Sequence, residues 1–221
     1  MQPGFYGKMP IKGDFIQRRL DRGITAQWDD WLQTCMDNSR AALGDAWLNH
    51  YLVSPVWRFI LAPNTVSANC FAGIVMPSVD SVGRHFPLTL AMELPADLNL
   101  MHFAIAEDNW FEQLEDLAFS TLEPQCDIET FDAALQQIGP KLPLLNAMPM
   151  AAKEGRRGWL HSGLTSTELL QAGYAQQLNN HIENGGGHWW TVGSDNITPA
   201  FVSYDRLPPA SEFAAFLTGN W

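Results

Sequence analysis

The apolar pattern of this chain changes period abruptly near residue 55, and no other feature restricts the fold as much. Across residues 25–43 the positions Trp28, Trp31, Leu32, Cys35, Met36 and Leu43 recur at three-four spacing, the single buried stripe of a helix. Thr25 is placed to cap its start and Gly44 to stop it. A shorter helix over 45–52 ends ahead of Pro55. Beyond it, residues 56–61, 70–76 and 88–94 are short runs rich in β-formers. Turn residues separate them, and connections this short predict an antiparallel meander.

The flanking segments extend this pattern. Short extended pieces over 5–8 and 14–17 are broken by Gly4, Gly7, Pro10 and Gly13. Two acidic helices follow the meander. Asn109 is placed to cap the first, with Glu112 at its third position and a stripe of Trp110, Phe111, Leu114, Leu117 and Leu122. The second spans 128–138 and is closed by Gly139 and Pro140. Residues 139–157, rich in Pro and Met, predict an irregular surface excursion. A brief strand over 159–161 leads to a helix opened by the capping box of Thr165 and Glu168 and running to about residue 183. Gly185–Gly187 serve as its stop. Residues 188–192 and 200–204 read as a strand pair, and Pro208 and Pro209 open a last helix that buries Phe213, Phe216 and Leu217. The expected fold is α+β, with mixed α/β layers and a largely antiparallel central sheet flanked by helices. The C-terminal strands are too few to stand alone, so one domain over 1–221 is expected.

Composition excludes several classes. Of 221 residues 46% are hydrophobic and 11% aromatic, which rules out disorder. No apolar run approaches the roughly 18 residues of a membrane span, and the opening residues lack a signal-peptide pattern, so a cytoplasmic location is expected. Three scattered cysteines fit a reducing compartment. Charge is divided unevenly. Residues 1–92 carry eight Lys/Arg against seven Asp/Glu, and residues 93–221 carry five against seventeen. Between Arg84 and Lys141 there is no Lys or Arg, while eleven acids fall from Glu93 to Asp132. Such a surface repels phosphate backbones and anionic lipid, so neither nucleic-acid binding nor membrane insertion is expected. It is either a solvated face or a docking surface for a basic partner, with Glu112, Glu115 and Asp116 as candidates.

Specific catalytic motifs are absent: no nucleophile elbow, phosphate loop, dinucleotide fingerprint or zinc-protease helix. The six histidines have no metal-ligand spacing, and no cofactor is expected. The segment 77–87 concentrates Asp80, Arg84 and His85 within six residues. It is read either as an internal Asp80–Arg84 tie with Gly83 at the bend, or as a loop presenting an arginine fork to a carboxylate or phosphate. Lys8 and Asp14 are placed to meet across a hairpin-like turn. Nine tryptophans are unusually many, and core packing accounts for those on stripes. Trp189 and Trp190, adjacent on a strand, face opposite ways; one is outward, as an interface anchor, or covered by another element.

These segments carry a family resemblance. Gly4-Phe-Tyr-Gly-Lys-Met-Pro10, Gly13-Asp-Phe15, Trp28-Asp-Asp-Trp-Leu32, Pro55-Val-Trp-Arg-Phe59, Pro77-Ser-Val-Asp-Ser-Val-Gly-Arg-His-Phe-Pro-Leu-Thr89, and Trp189-Trp190 with Gly193 together resemble the TagF (ImpM) family of Gram-negative bacteria. The match is dense over 4–94 and thin over 95–180, and Met9 and the surroundings of Lys12 depart from the pattern. The resemblance implies an accessory protein of type VI secretion, a post-translational repressor that acts in the cytoplasm through a forkhead-associated-domain scaffold. It implies no enzymatic activity, no cofactor and no validated site residues. The alternative is a small-ligand binder or enzyme using Asp80, Arg84 and Lys8 around a pocket.

Overall fold

The computed structural model describes residues 2–141, 147–149, 159–161, 163–179 and 185–221. Strands β1 (Gly4–Gly7) and β2 (Ile16–Arg18) precede α1 (Arg22–Leu43) and α2 (Trp47–Val53). The meander follows as β3 (Trp57–Leu61), β4 (Cys70–Met76) and β5 (Leu88–Leu94), then α3 (Leu100–Ala106), α4 (Asp108–Ser120) and α5 (Ile128–Gln137). Strands β6 (Ala147–Pro149) and β7 (Trp159–His161) pair apart from the main sheet. Helix α6 (Ser166–Asn179), strands β8 (Gly187–Thr191) and β9 (Ala200–Tyr204), and α7 (Phe213–Thr218) complete the order.

The main sheet has seven strands in the order β2-β1-β5-β4-β3-β8-β9. Every pairing in it is antiparallel. Strand alternation explains why β3, β4 and β5 read as nearly unbroken apolar runs: both faces are covered. Trp57, Phe59, Phe71, Val75 and Trp189 face α1, α2 and α7, whereas Ile60, Ile74, Leu90 and Met92 face Trp110, Phe111 and Leu114 of α4 and Phe131 of α5. The α+β expectation and the meander agree with this arrangement.

Several local expectations are corrected. Asp21, not Thr25, caps α1: its carboxylate accepts from the Gly23 and Ile24 amides, and the helix starts three residues before Thr25. Gly23, a poor helix former in the first turn, hid this start. Asn109 lies inside α4 and caps nothing. The cap in this region is Asn99, which accepts from the His102 amide and opens α3, a short helix absent from the expected set. A helix does start in the cluster Glu107-Asp108-Asn109, but its N-cap position is Glu107, two residues before Asn109, and no side chain caps it. Leu122 lies past the end of α4 and is 58% exposed, so it does not extend the buried stripe. Thr165 and Glu168 do form their reciprocal cap. The expected helix end near 183 and most of the 139–157 excursion lie outside the described residues.

Candidate functional site

The loop after β4 is organised around one carboxylate. Asp80 Oδ1 accepts the amides of Val82 at 3.0 Å and Arg84 at 2.8 Å. Its Oδ2 accepts Lys8 Nζ at 2.6 Å and Arg84 Nε at 2.7 Å. Gly83, with φ of 86°, supplies the left-handed turn that brings Arg84 back over Asp80. Burial opposes ionisation of Asp80, but these donors outweigh it and hold its carboxyl well below the usual carboxylate range. The Arg84 guanidinium also donates to the Gly13 carbonyl. Lys8 therefore turns inward to Asp80 and forms no ion pair with Asp14, which is exposed. Lys8, Asp80 and Arg84 do converge, but upon one another rather than around an open cleft. His85 stands edge-on to Trp47 and Tyr51, where burial lowers its pKa.

The acidic helices are less free than their sequence suggests. Arg58 on β3 is 4% exposed and points at α4, where Nε and Nη2 clasp Glu115 at 2.7 and 2.9 Å and Nη1 reaches Asp108 at 2.6 Å. Its pKa is raised, Glu115 contributing most. Arg18 and Arg19 of the β2 end likewise meet Glu129 and Asp132 of α5. Arginines from the first ninety residues thus neutralise part of the acidic stretch, a pairing that a charge count by segment does not reveal. Glu112 and Asp116 are exposed and make no ion pair among the described residues. Removing Glu115 (Glu115→Ala) should cost about 2 kcal/mol, because the buried Arg58 loses its bidentate partner. Glu112→Gln and Asp116→Asn should each stay within about 0.5 kcal/mol. Urea unfolding of the three variants checks the contrast.

The tryptophan pair divides as alternation requires. Trp189 is 1% exposed and stacks on Trp28 with centroids 6.1 Å apart. Trp190, on the other face, lies edge-on beneath Phe111 of α4. Neither is an outward anchor; the covering element is α4.

An open apolar concavity lies elsewhere, at the C-terminal end of α4. A groove of about 310 Å3 is walled by Leu52 and Pro55, by Pro77, by Phe119 and Leu122, and by Val192. Glu115 lines one side. Leu52, Phe119 and Val192 escaped the sequence reading. The available signal was that Phe119 lies four residues after Glu115, on the polar rather than the buried side of α4.

The molecule is thus an α+β protein in which the polar cluster around Asp80 is a structural tie and an apolar groove lies at the end of α4. The family described as TagF N-terminal domain, Type VI secretion system-associated, matches residues 4–138. The chain belongs to the TagF family, and β8, β9 and α7 extend its fold past the matched span. A similar solved structure is the crystal structure of PA0076 from Pseudomonas aeruginosa PAO1, 40% identical, with a TM-score of 0.81 over 99% of this chain and 95% of that chain. No curated protein matches the chain. No helix among the described residues is long and apolar enough to cross a membrane.

Proposed function

We propose that this type VI secretion-associated chain is a non-enzymatic, cytoplasmic regulator that represses secretion by binding a forkhead-associated-domain scaffold. Family membership supports the regulatory role. The observation that carries the binding mode is local: Glu112 and Asp116 are exposed on α4 and make no ion pair among the described residues, while Asp108 and Glu115 on the same helix share Arg58. A forkhead-associated fold reads phosphate with an arginine-bearing face, and unneutralised carboxylates suit that face.

Calorimetric titration against the cognate scaffold, at low and at physiological salt, tests the proposal. Binding should weaken several-fold with salt. Glu112→Gln combined with Asp116→Asn should weaken it by roughly tenfold and flatten the salt dependence. Absence of binding at either salt refutes the reading, and an affinity indifferent to both salt and charge removes the electrostatic mode.

A further inference from the structure

Three segments distant in sequence leave four large apolar side chains uncovered at the same place. Leu52 is 57% exposed at the end of α2, Phe119 49% on α4, Leu122 58% in the turn beyond it, and Val192 68% after β8. Scattered singly, exposed apolar residues need no explanation; converging on one groove, they do. At about 310 Å3 the groove sits at the lower end of the range for ligand-sized clefts, so it accepts side chains of a segment rather than a folded domain.

The groove is preformed. On one wall the Tyr51 hydroxyl donates to the Ser78 carbonyl while the Ser78 amide donates to Tyr51, fixing the start of the loop after β4. On the other, Gly193 at φ of 88° and the Ser194–Ile197 bridge hold the turn beyond Val192. A Cβ on Gly193 would meet the Ile197 carbonyl at 2.4 Å, so this turn is tightly set. Little ordering cost then opposes binding.

The occupant's chemistry follows from α4. Asp108, Glu112, Glu115 and Phe119 fall at steps of four, three and four, one stripe that is acidic toward the N-terminus and apolar toward the groove. Arg58 pairs with both Asp108 and Glu115 from within and offsets one of their two charges. Glu112, without an ion pair among the described residues, lies seven residues from Phe119, about 10 Å along the axis, and Asp116 lies beside it. We infer that the groove is the docking site for a short amphipathic segment of the scaffold protein, which seats one or two large apolar side chains between Leu52, Phe119, Leu122 and Val192. That segment borders the scaffold's arginine-bearing face, and an arginine of that face, about 10 Å from the anchors, meets Glu112 and Asp116. This deepens the function proposed above and rests on it for the partner's identity.

Val192→Asp and Leu122→Asp alter exposed positions, so both variants should fold, which thermal melts check. Each should weaken scaffold binding at least tenfold, and the binding that remains should still weaken with salt. Glu112→Lys with Asp116→Lys should weaken binding and abolish that dependence. Hydrogen exchange on saturation with scaffold should slow over residues 52–56 and 119–123. Scaffold binding that survives both groove variants, with no protection there, overturns the inference and leaves the functional reading standing. Failure of the wild-type chain to bind scaffold at all refutes the functional reading instead, and a second probe then decides the groove. That probe is a 16-residue peptide with two leucines four residues apart and two lysines two turns away. Peptide binding lost in Val192→Asp supports the groove's chemistry, and no peptide binding overturns it. Sedimentation as a dimer that Val192→Asp dissociates assigns the groove to a second copy, which also overturns it.

Discussion

Asp80→Asn should lower the thermal midpoint by on the order of 10 °C, whereas Arg84→Ala should lower it by a few degrees at most. The sequence pairs Asp80 with Arg84, and by that reasoning either substitution breaks one tie. The structure ranks them differently. The Arg84 side chain is 58% exposed and can return to water, while the Lys8 side chain is 6% exposed and depends on Asp80. Asn at position 80 leaves that ammonium without its counter-charge and deprives two backbone amides of a charged acceptor. Lys8→Met combined with Asp80→Asn removes the stranded charge and should recover at least half of the lost midpoint. Equal midpoints for the single and double variants would show that the buried ammonium is not the source of the loss.

The same carboxylate gives a pH signature. Its native pKa is depressed, so its contribution is complete above the ordinary unfolded value of about 4 and is lost as pH falls from there toward the native value. Asp80→Asn lacks this component. The gap between wild type and variant should therefore be widest near neutrality and close on acidification below about pH 4. Melts across that range read it directly.

The sequence made the fold's skeleton legible where period and length agreed: α1, the three central strands, β8 with β9, and the aromatic positions of α7. It failed where a polar cluster serves two purposes. Glu107-Asp108-Asn109 reads as a helix start, which it is, but it also ends α3 and supplies an Arg58 ligand. The family blocks turned out to be mutual fastenings. Tyr6 donates to Asp29, Trp28 to Thr89 and Lys8 to Asp80, while Ser78 Oγ donates to the Lys8 carbonyl. Each bond joins one recognisable block to another. Such residues are conspicuous because they are rare types with specific partners. The groove was illegible for the opposite reason: Leu52, Phe119, Leu122 and Val192 are common apolar residues from three segments, and only the tertiary fold brings them together. Charge misled similarly, since the arginines that neutralise Glu115, Glu129 and Asp132 come from strands far upstream.

Trp28→Ala should be the most damaging single truncation, at about 3–5 kcal/mol. The ring lies 5.0 Å from Phe59, 5.6 Å from Phe71 and 6.1 Å from Trp189, which joins α1 to three strands of the sheet. Its Nε1 also donates to Thr89 Oγ1 at 2.9 Å, and Thr89 is fully buried. Packing and polar parts can be separated. Trp28→Phe keeps an aromatic ring but leaves the Thr89 hydroxyl without its indole donor, and Thr89→Val strands the indole N–H. Each should cost about 1–3 kcal/mol, with added loss of volume in the first. The double variant should cost less than the sum of the two by about 1 kcal/mol. Strict additivity in urea unfolding would show that the bond contributes nothing beyond packing. The result also bears on function. Trp189 lies three residues before Val192, so loosening its stack with Trp28 frees the end of β8 and with it one wall of the groove. A loss of scaffold binding in Trp28→Ala is therefore expected from structure alone, and only variants such as Val192→Asp, which leave this stack intact, report on the docking surface itself.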